Sequence, residues 1–328
     1  MKFIYYLFYN LKDRLFKLSM PKKWKSHYGG ITDFAEISTY SGYPMLKTKD
    51  VHRLIQELID NERPIMIARF GTVELSAMKV FHFNLNRIKQ NIMGNLCIQA
   101  GFFPKDVNSG GGFCELMLKN IGKIDVHLTQ CIRCEDYFIK KFMNIKGLSH
   151  INNLNPWTNP KDPWTKALKG KRVLVIHPFK ETIKTQYKKR EKLFPNSNIL
   201  PDFKLITIKA VQTIADQTDE RFANWFEALE WMYNQTLTID YDIALIGCGA
   251  YGLPLAAKIK KSGKHAIHMG GMLQGLFGIK CKRFDEAPDY ENLRCWYNEN
   301  WIYPLDADMP NGFNKVEGGC YWKPIELT

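Results

Sequence analysis

The stretch "DIALIGCGAYGLPLAAKIKKSGKHAIHMGG", residues 242–271, decides the fold of this 328-residue chain. An apolar strand runs into the glycine pattern Gly247, Gly249 and Gly252, a helix follows, and a second strand completes the unit. Glycines at this spacing let the backbone approach a phosphate, and the first N–H groups of the new helix attract it. The pattern predicts either a phosphate-binding turn or tight strand–helix packing without a ligand.

The residues at the end of the second strand indicate which kind of phosphorylated ligand would bind. An NAD site places an acidic residue there, where the carboxylate binds the ribose. Here the strand ends with His268, Gly270 and Gly271 and has no carboxylate. We therefore expect no NAD cofactor and favour another phosphorylated ligand, with an NAD-dependent oxidoreductase as the lesser alternative. Gln274 follows in the same glycine-rich exit, which would shape a base or sugar pocket or form a plain turn.

The rest of the chain repeats the alternation of strand and helix. Apolar segments typical of buried strands and segments typical of helices alternate along the sequence; the strands are 64–71, 123–130, 171–179 and 203–210, and the helices are 47–62, 108–122, 180–193 and 219–235. The helix within 108–122 is expected to follow a glycine loop. Strands that are apolar on both faces predict an α/β fold of Rossmann-like type, with a mainly parallel sheet flanked by helices.

Ligands of such sheets bind beyond the carboxyl ends of the strands. The segments expected to meet there are 69–74, 177–190, 210–217, 247–252 and 268–274. We expect one α/β domain over residues 31–328, preceded by a basic tail of residues 1–30. The proline-containing segment 152–170 is a candidate subdomain crossing. Without about 18 consecutive apolar residues, no transmembrane helix is expected, and the cysteine pattern fits a cytoplasmic protein with reduced thiols.

The charge of the chain is concentrated at its start. The net charge is +13, and residues 1–30 hold seven basic residues against Asp13 alone. Apolar residues recur there at helical spacing. This predicts either an amphipathic helix that contacts the inner face of a membrane through residues 1–26, or a terminal helix packed on the protein's own core. Nucleic acid is not an expected partner, because the sequence has no known nucleic-acid-binding motif.

Two strand ends bring charged or titratable residues to the expected site. Arg69, Gly71 and Glu74 follow the strand 64–71, where they would position a phosphate or a metal, or simply cap the next helix. His177 ends another strand and precedes a basic helix that contains Arg190. That helix would attract a diphosphate if it faced a cleft, or would be an ordinary solvated face.

These segments resemble one family. The segment "RFGTVE" (69–74) resembles the Arg-Phe-Gly-Asp-Gly-Glu motif of the GT-D fold glycosyltransferases, and the passage 246–271 resembles that family's glycine turn. The segments "HPFKETI" (177–183), "QYKKREKLFP" (186–195) and "VEGGCYW" (316–322) resemble parts of a divergent branch found with bacterial surface-polysaccharide genes. The resemblance covers residues 50–280 in patches. It implies transfer of a sugar, UDP-sugars being favoured, to a glycan or lipid-linked glycan acceptor.

The family's Asp-x-Glu element is associated with a divalent metal and the donor diphosphate. In this chain Thr72 and Val73 occupy the first two positions, so a manganese or magnesium ion would have Glu74 as its one carboxylate from the motif. We expect Glu74 to bind that metal or to act as base toward the acceptor hydroxyl. Arg69 and Arg190 would stabilise the leaving diphosphate.

The remaining expectations concern the donor. The residues predicted to bind the nucleotide sugar are Gly71, Thr72, His177, Gly247, Gly249, Tyr251, Gly252, His268, Gly270, Gly271 and Gln274. The alternative from another class is a non-catalytic nucleotide- or glycan-binding protein, in which the missing Asp marks lost chemistry.

Overall fold

The structure is a computed structural model that describes residues 2–19, 37–132 and 134–324. Residues 20–30 of the predicted basic tail lie outside the described residues. Within the described part of the chain, each helix is too short or too polar to cross a bilayer.

Helices and strands alternate along most of the described chain. In order they are α1 (Lys2–Ser19), β1 (Thr39–Tyr40), β2 (Tyr43–Leu46), α2 (Thr48–Asp60), β3 (Met66–Arg69), α3 (Thr72–His82), α4 (Lys89–Ala100), α5 (Val107–Ile121), β4 (Val126–Thr129), α6 (Glu135–Phe142), β5 (Gly147–His150), β6 (Arg172–His177), α7 (Lys180–Tyr187), α8 (Arg190–Leu193), β7 (Lys204–Lys209), α9 (Trp225–Leu237), β8 (Ile243–Ile246), α10 (Gly252–Lys261), β9 (His265–His268), α11 (Leu273–Leu276), α12 (Lys282–Glu286) and α13 (Glu291–Arg294).

The described strands form one nine-stranded sheet in the order β1-β2-β5-β4-β3-β9-β8-β6-β7. The β1–β2 pair is antiparallel, and every other neighbouring pair is parallel. The predicted fold class is confirmed: the protein is α/β, with a mainly parallel sheet of Rossmann-like type flanked by helices.

Side chains of the central strands alternate between two hydrophobic cores, because successive residues of a strand point to opposite faces. In β8, Ala244 and Ile246 pack toward α3, α4, α5, α6, α9 and α10, whereas Ile243 and Leu245 pack toward α2, α7, α8, α11, α12 and α13. All four residues are fully buried. Burial on both faces explains why these strands are continuous apolar runs in the sequence.

The predicted crossing at 152–170 connects β5 to β6, which are separated by four other strands in the sheet. It consists of short 3₁₀ turns anchored by Trp157 and Trp164, both of which are buried in the core that contains α2 and α7. The indole N–H of Trp164 donates to the carbonyl of Leu154 at 2.6 Å. The segment therefore connects two parts of one sheet and packs against it.

Three local predictions need correction. The expected glycine loop at 108–112 is helical, because Asp106 caps α5 by accepting hydrogen bonds from the amides of Asn108 and Ser109. The helix expected over 219–235 begins only at Trp225, after Asn224, whose side chain accepts from the amide of Glu227. The single basic helix expected over 180–193 is divided into α7 and α8.

The neighbouring glycines of α5 offer a matched test of this packing. A Cβ at Gly110 would collide with the Phe81 ring and lie 2.6 Å from Sδ of Met93, whereas a Cβ at Gly111 would meet no atom within 4 Å. We expect Gly110→Ala to lower the free energy of unfolding by about 1–3 kcal/mol, the usual effect of overpacking. Gly111→Ala should raise it by roughly 0.5–1 kcal/mol, since alanine favours the helix.

Urea denaturation of both variants measures these differences. Equal stability of the two variants would contradict the packing described for α5 against α3 and α4.

Candidate functional site

A cavity of about 350 Å³ lies at the carboxyl edge of the sheet. Residues that follow β3, β4, β6, β7, β8 and β9 line it, together with the C-terminal segment 316–322. Two of the neighbouring strands, β6 and β8, lead into helices on opposite faces, α7 and α10. Connections that diverge in this way leave a crevice beyond the strand ends, which is where open α/β sheets bind ligands.

Most of the residues predicted for the site line this cavity. They are Arg69, Gly71, Thr72, Glu74, His177, Gly247, Gly249, Tyr251, Gly270, Gly271 and Gln274. The cavity lining does not include Gly252, His268 or Arg190.

Arg69 and Glu74 form one corner of the cavity. The Arg69 guanidinium lies directly against Gly270, at a place where a Cβ of residue 270 would collide with Nη2. Its Nη1 donates to the carbonyl of Phe70 at 3.2 Å. The Glu74 carboxylate lies back over Gly71, where a Cβ of residue 71 would collide with it. The positions of the Arg69 guanidinium and the Glu74 carboxylate therefore require glycine at residues 270 and 71.

Burial controls the charge of Glu74. The residue is only 8% exposed. Burial raises the pKa of its carboxyl above the ordinary value, and the positive charge of Arg69 opposes that rise. A carboxyl with a raised pKa binds and releases a proton closer to neutral pH, as a general base requires. Glu74 is also the third residue of α3, after the N-cap Gly71, where a carboxylate stabilises the start of a helix.

His177 contributes a neutral ring. Its Nδ1 accepts a hydrogen bond from the amide of Phe179 at 3.0 Å, so the neutral ring carries its proton on Nε2. Burial lowers the pKa of His177 to about 3. At neutral pH the ring is therefore uncharged and has one donor, the Nε2–H group, for a ligand or a neighbouring acceptor.

The glycine turn packs closely against the protein itself. A Cβ at Gly247 would lie 2.7 Å from the carbonyl oxygen of Gly270, and a Cβ at Gly252 would collide with the His268 ring. Gly249 has a φ of +55° and faces the carbonyl of Ala100. All three glycines therefore serve close packing, and Gly247 and Gly249 also line the cavity; phosphate binding by the turn stays a prediction.

Two residues predicted to bind the donor, Tyr251 and His268, pack against other parts of the protein. The Tyr251 ring stacks on Trp225 with centroids 4.8 Å apart, and its hydroxyl lies 3.1 Å from Oγ1 of Thr213. His268 is buried beneath the turn, and burial together with the Arg69 charge lowers its pKa to about 3. We infer that His268 is a neutral packing residue.

The structure does not bring Arg190 to the cavity. Its guanidinium lies 3.1 Å from a carboxylate oxygen of Asp202, which precedes β7, and it stacks over the Tyr187 ring. Since β7 runs parallel to β6, Asp202 is at the amino edge of the sheet, opposite the cavity. Because α7 runs from the carboxyl edge back toward the start of β7, Arg190 lies at that amino edge.

The sequence analysis missed Arg283 as a cavity residue. Its guanidinium pairs with the Glu317 carboxylate, donates to the Tyr321 hydroxyl at 3.2 Å, and stacks on the Tyr321 ring at 4.5 Å from the centroid. Tyr321 in turn packs against Gly271. The aromatic segment "VEGGCYW" was recognisable in the sequence, but nothing in "KCKRFDE" indicated that Arg283 would fix it over the cavity.

The cavity contains few groups suited to a metal ion. Among the described residues, no three His, Cys, Asp or Glu side chains converge on one point. Three carboxylates line the cavity: Glu317 is paired with Arg283, Glu74 lies over Gly71, and Asp289 is the third. These residues do not by themselves form a metal site of protein ligands, so the predicted metal role of Glu74 stays a prediction.

No protein-family model matches this chain, and neither the curated proteins nor the solved structures provide a match. The resemblance to the GT-D fold glycosyltransferases therefore depends on the sequence motifs alone.

The contacts of Arg283 predict that it holds the C-terminal segment in place. We expect Arg283→Met to increase amide hydrogen exchange across residues 316–322, because the segment loses an ion pair and a stacked partner. The matched variant is Arg53→Met, at an exposed position of α2, which should leave that exchange unchanged. Mass spectrometry of both variants measures the effect, and unaltered protection in Arg283→Met would contradict the role.

Proposed function

We propose that this protein is a glycosyltransferase that moves a sugar from a nucleotide-sugar donor, UDP-sugars being favoured, to a glycan or lipid-linked glycan acceptor. One observation carries the proposal: Arg69 and Glu74 of the motif "RFGTVE" lie in the same cavity as the turn Gly247–Cys248–Gly249. An anion-binding turn, a cation and a buried carboxylate are the groups that such a transfer needs.

The donor diphosphate is proposed to lie between Arg69 and the backbone of Gly247, Gly249 and Gly270. The guanidinium is the cation of this corner. The amides of Gly247, Tyr251 and Gly252 already donate to the carbonyls of Ile176, Cys248 and Gly249, so the backbone donors proposed for the phosphates are the amides of Cys248, Gly249 and Ala250 at the start of the turn. Groups fixed in place beside buried backbone stabilise negative charge more strongly than the same groups would in solution. The Nε2–H of His177 is a further donor.

The chemical step makes one bond and breaks one. The acceptor hydroxyl oxygen forms a bond to the anomeric carbon, while the bond from that carbon to the phosphate oxygen breaks. The nucleoside diphosphate leaves with the bonding electrons, next to Arg69. The hydroxyl proton passes to the Glu74 carboxylate, which holds a proton more strongly than an ordinary carboxylate because burial raises its pKa.

The enzyme is proposed to act in the cytoplasm, at the inner face of the membrane, where a lipid-linked acceptor would be presented. The step is written with protein groups, and binding of a manganese or magnesium ion by Glu74 stays a prediction.

A second candidate has one observation in its favour. The Glu74 carboxylate lies over the first turn of its own helix, where it would act as a cap and take no part in chemistry. In that case the protein would bind a nucleotide or glycan without turning it over.

Ligand screening by thermal unfolding tests the proposed binding site. We expect UDP or a UDP-sugar to raise the midpoint more than GDP, CMP or NAD, each with and without manganese. At a hundred times its dissociation constant a ligand contributes about 2.7 kcal/mol to stability. Arg69→Met should remove the shift, and the exposed Arg53→Met should keep it. A shift with NAD alone would favour an oxidoreductase, and no shift with any ligand would contradict the site.

Glu74→Gln tests the proposed chemistry. We expect loss of sugar transfer, and of slow hydrolysis of the donor, while the ligand-induced shift remains. Glu115→Gln, at an exposed position of α5, is the control and should retain activity. Full transfer by Glu74→Gln would refute the catalytic role. Donor binding without transfer by the wild-type protein, across an acceptor panel, would favour the non-catalytic candidate.

The same substitution has a predictable effect on stability. The folded-state pKa of Glu74 is raised above its unfolded value, so the folded protein loses stability as pH rises from the unfolded pKa through the folded one. Glu74→Gln should therefore be at least as stable as the wild type near neutral pH, with the difference vanishing below about pH 4. Urea denaturation at several pH values measures it.

A further inference from the structure

Helix α1 packs on the protein through one aromatic face. The Tyr6 ring lies 5.6 Å from the Phe83 ring, and the Tyr9 ring lies 5.1 Å from the Tyr137 ring, measured between centroids. Lys12 adds an ion pair of 2.7 Å to Asp136 at the start of α6. These contacts support the expectation of a helix packed on the core, but they use only one side of it.

The opposite side of α1 is apolar and open to solvent. Its exposed side chains range from 51% for Leu7 to 75% for Leu18, and the full set is Phe3, Ile4, Leu7, Phe8, Leu11, Leu15 and Leu18. We call this set the outer face of α1. Elsewhere in the described chain, the large exposed aliphatic residues are scattered: Ile88, Leu237 and Leu305. A contiguous apolar face of this kind marks an interaction surface.

The charges around the outer face indicate what covers it. Arg14 is exposed on α1 on the side of the outer face, and Lys2 is exposed at the first turn, on the side of Tyr6 and Tyr9. Lys140 and Lys141 are exposed on α6, the helix that α1 contacts. In the sequence, Lys22, Lys23 and Lys25 follow directly, and residues 1–30 contain one acid. An apolar helix face bordered by cations is complementary to the headgroups and acyl chains of an anionic bilayer.

A second copy of the chain fits less well. Ile4, Phe8, Leu11, Leu15 and Leu18 do have the alternating spacing of four and three residues that a coiled coil requires. However, two such helices would bring their cations together, with one acid in each tail to offset them. Like charges flanking the seam oppose self-association.

We propose that α1 is a membrane-attachment helix that lies in the plane of an anionic bilayer, with its outer face in the boundary between headgroups and acyl chains. The flanking lysines and arginines contact the lipid phosphates. At 18 residues the helix would extend about 27 Å along the surface. This surface is separate from the cavity and does not depend on the proposed transferase activity.

Co-sedimentation of the full chain with lipid vesicles tests the proposal. We expect binding to vesicles of equimolar phosphatidylcholine and phosphatidylglycerol, and at least about tenfold weaker binding to phosphatidylcholine alone. Binding should weaken as sodium chloride is raised, because salt screens the headgroup charge. The measurement needs neither substrate nor activity, so its outcome is distinguishable from failure of the transferase proposal.

Two sets of substitutions separate the apolar and ionic contributions. Combining Ile4→Ser, Phe8→Ser, Leu11→Ser and Leu15→Ser should reduce binding to the mixed vesicles about tenfold or more. Its matched control combines Ile88→Ser, Leu237→Ser and Leu305→Ser, which also replaces exposed apolar residues and should bind normally. Combining Lys2→Gln with Arg14→Gln should weaken binding, while Lys169→Gln with Lys188→Gln should not.

Thermal unfolding of each variant shows whether it folds, and since the replaced side chains are exposed, all are expected to unfold like the wild type. Equal binding of the outer-face variant and its control would overturn the proposal. So would equal binding to the two kinds of vesicle. Sedimentation velocity gives the third decisive result: a dimer that becomes monomeric in the outer-face variant, without vesicle binding, would assign the face to a second copy.

Discussion

The close approach of three backbone segments at the carboxyl edge of the sheet is the constraint on which the site depends. Gly247 follows β8, Gly270 follows β9, and an added Cβ on the first would lie 2.7 Å from the carbonyl oxygen of the second. Gly252 lets α10 pack onto the His268 ring, and Gly270 also leaves space for the Arg69 guanidinium. Side chains at these positions would separate the segments and displace the one cation at this corner.

That close packing also determines the protonation states in the site. Desolvation favours the neutral form of an ionisable group. It keeps His177 and His268 uncharged at neutral pH and raises the pKa of Glu74. Arg69 adds a guanidinium, which carries a positive charge in proteins. Of the two guanidinium groups that line the cavity, that of Arg283 is paired with the Glu317 carboxylate, so Arg69 is the cation proposed for a ligand that brings its own negative charge.

The parts of this architecture that could be predicted from the sequence are those that follow a local period. Strands buried on both faces are continuous apolar runs, so β6 and β8 were recognisable, and the residues after a parallel strand must appear at its carboxyl edge. That rule correctly brought Arg69, Glu74, His177 and Gly247 to one cavity. The prediction for Arg190 was wrong, because the rule holds only for residues just after a strand: α7 begins at the carboxyl edge and runs back toward the amino edge, where Arg190 lies.

Other features depend on contacts between distant parts of the chain. Arg283 and Glu317 are 34 residues apart, and no periodicity indicates that they meet over the cavity. The glycines at 110–112 resembled a loop because glycine disfavours helices, yet Gly110 lies where α5 packs closely on Phe81 and Met93. In both cases contacts between distant residues determine the structure, and the pattern within a short segment of sequence does not reveal those contacts.

Helix α6 contacts both α1 and the loop after β4 that lines the cavity. The proposed membrane surface is therefore held in a fixed position relative to the site. Asp136 of α6 pairs with Lys12. Its neighbour Glu135 accepts hydrogen bonds from the amides of Gln130 and Ile132 and lies 2.8 Å from the ring of the buried His127. Gln130 lines the cavity. Since consecutive residues of one helix turn fix both α1 and the loop after β4, a protein held to a bilayer by α1 would present its cavity in a defined orientation to that surface. A soluble acceptor gains nothing from such an orientation, whereas a lipid-linked acceptor, confined to the same plane, would meet the cavity from a constant direction.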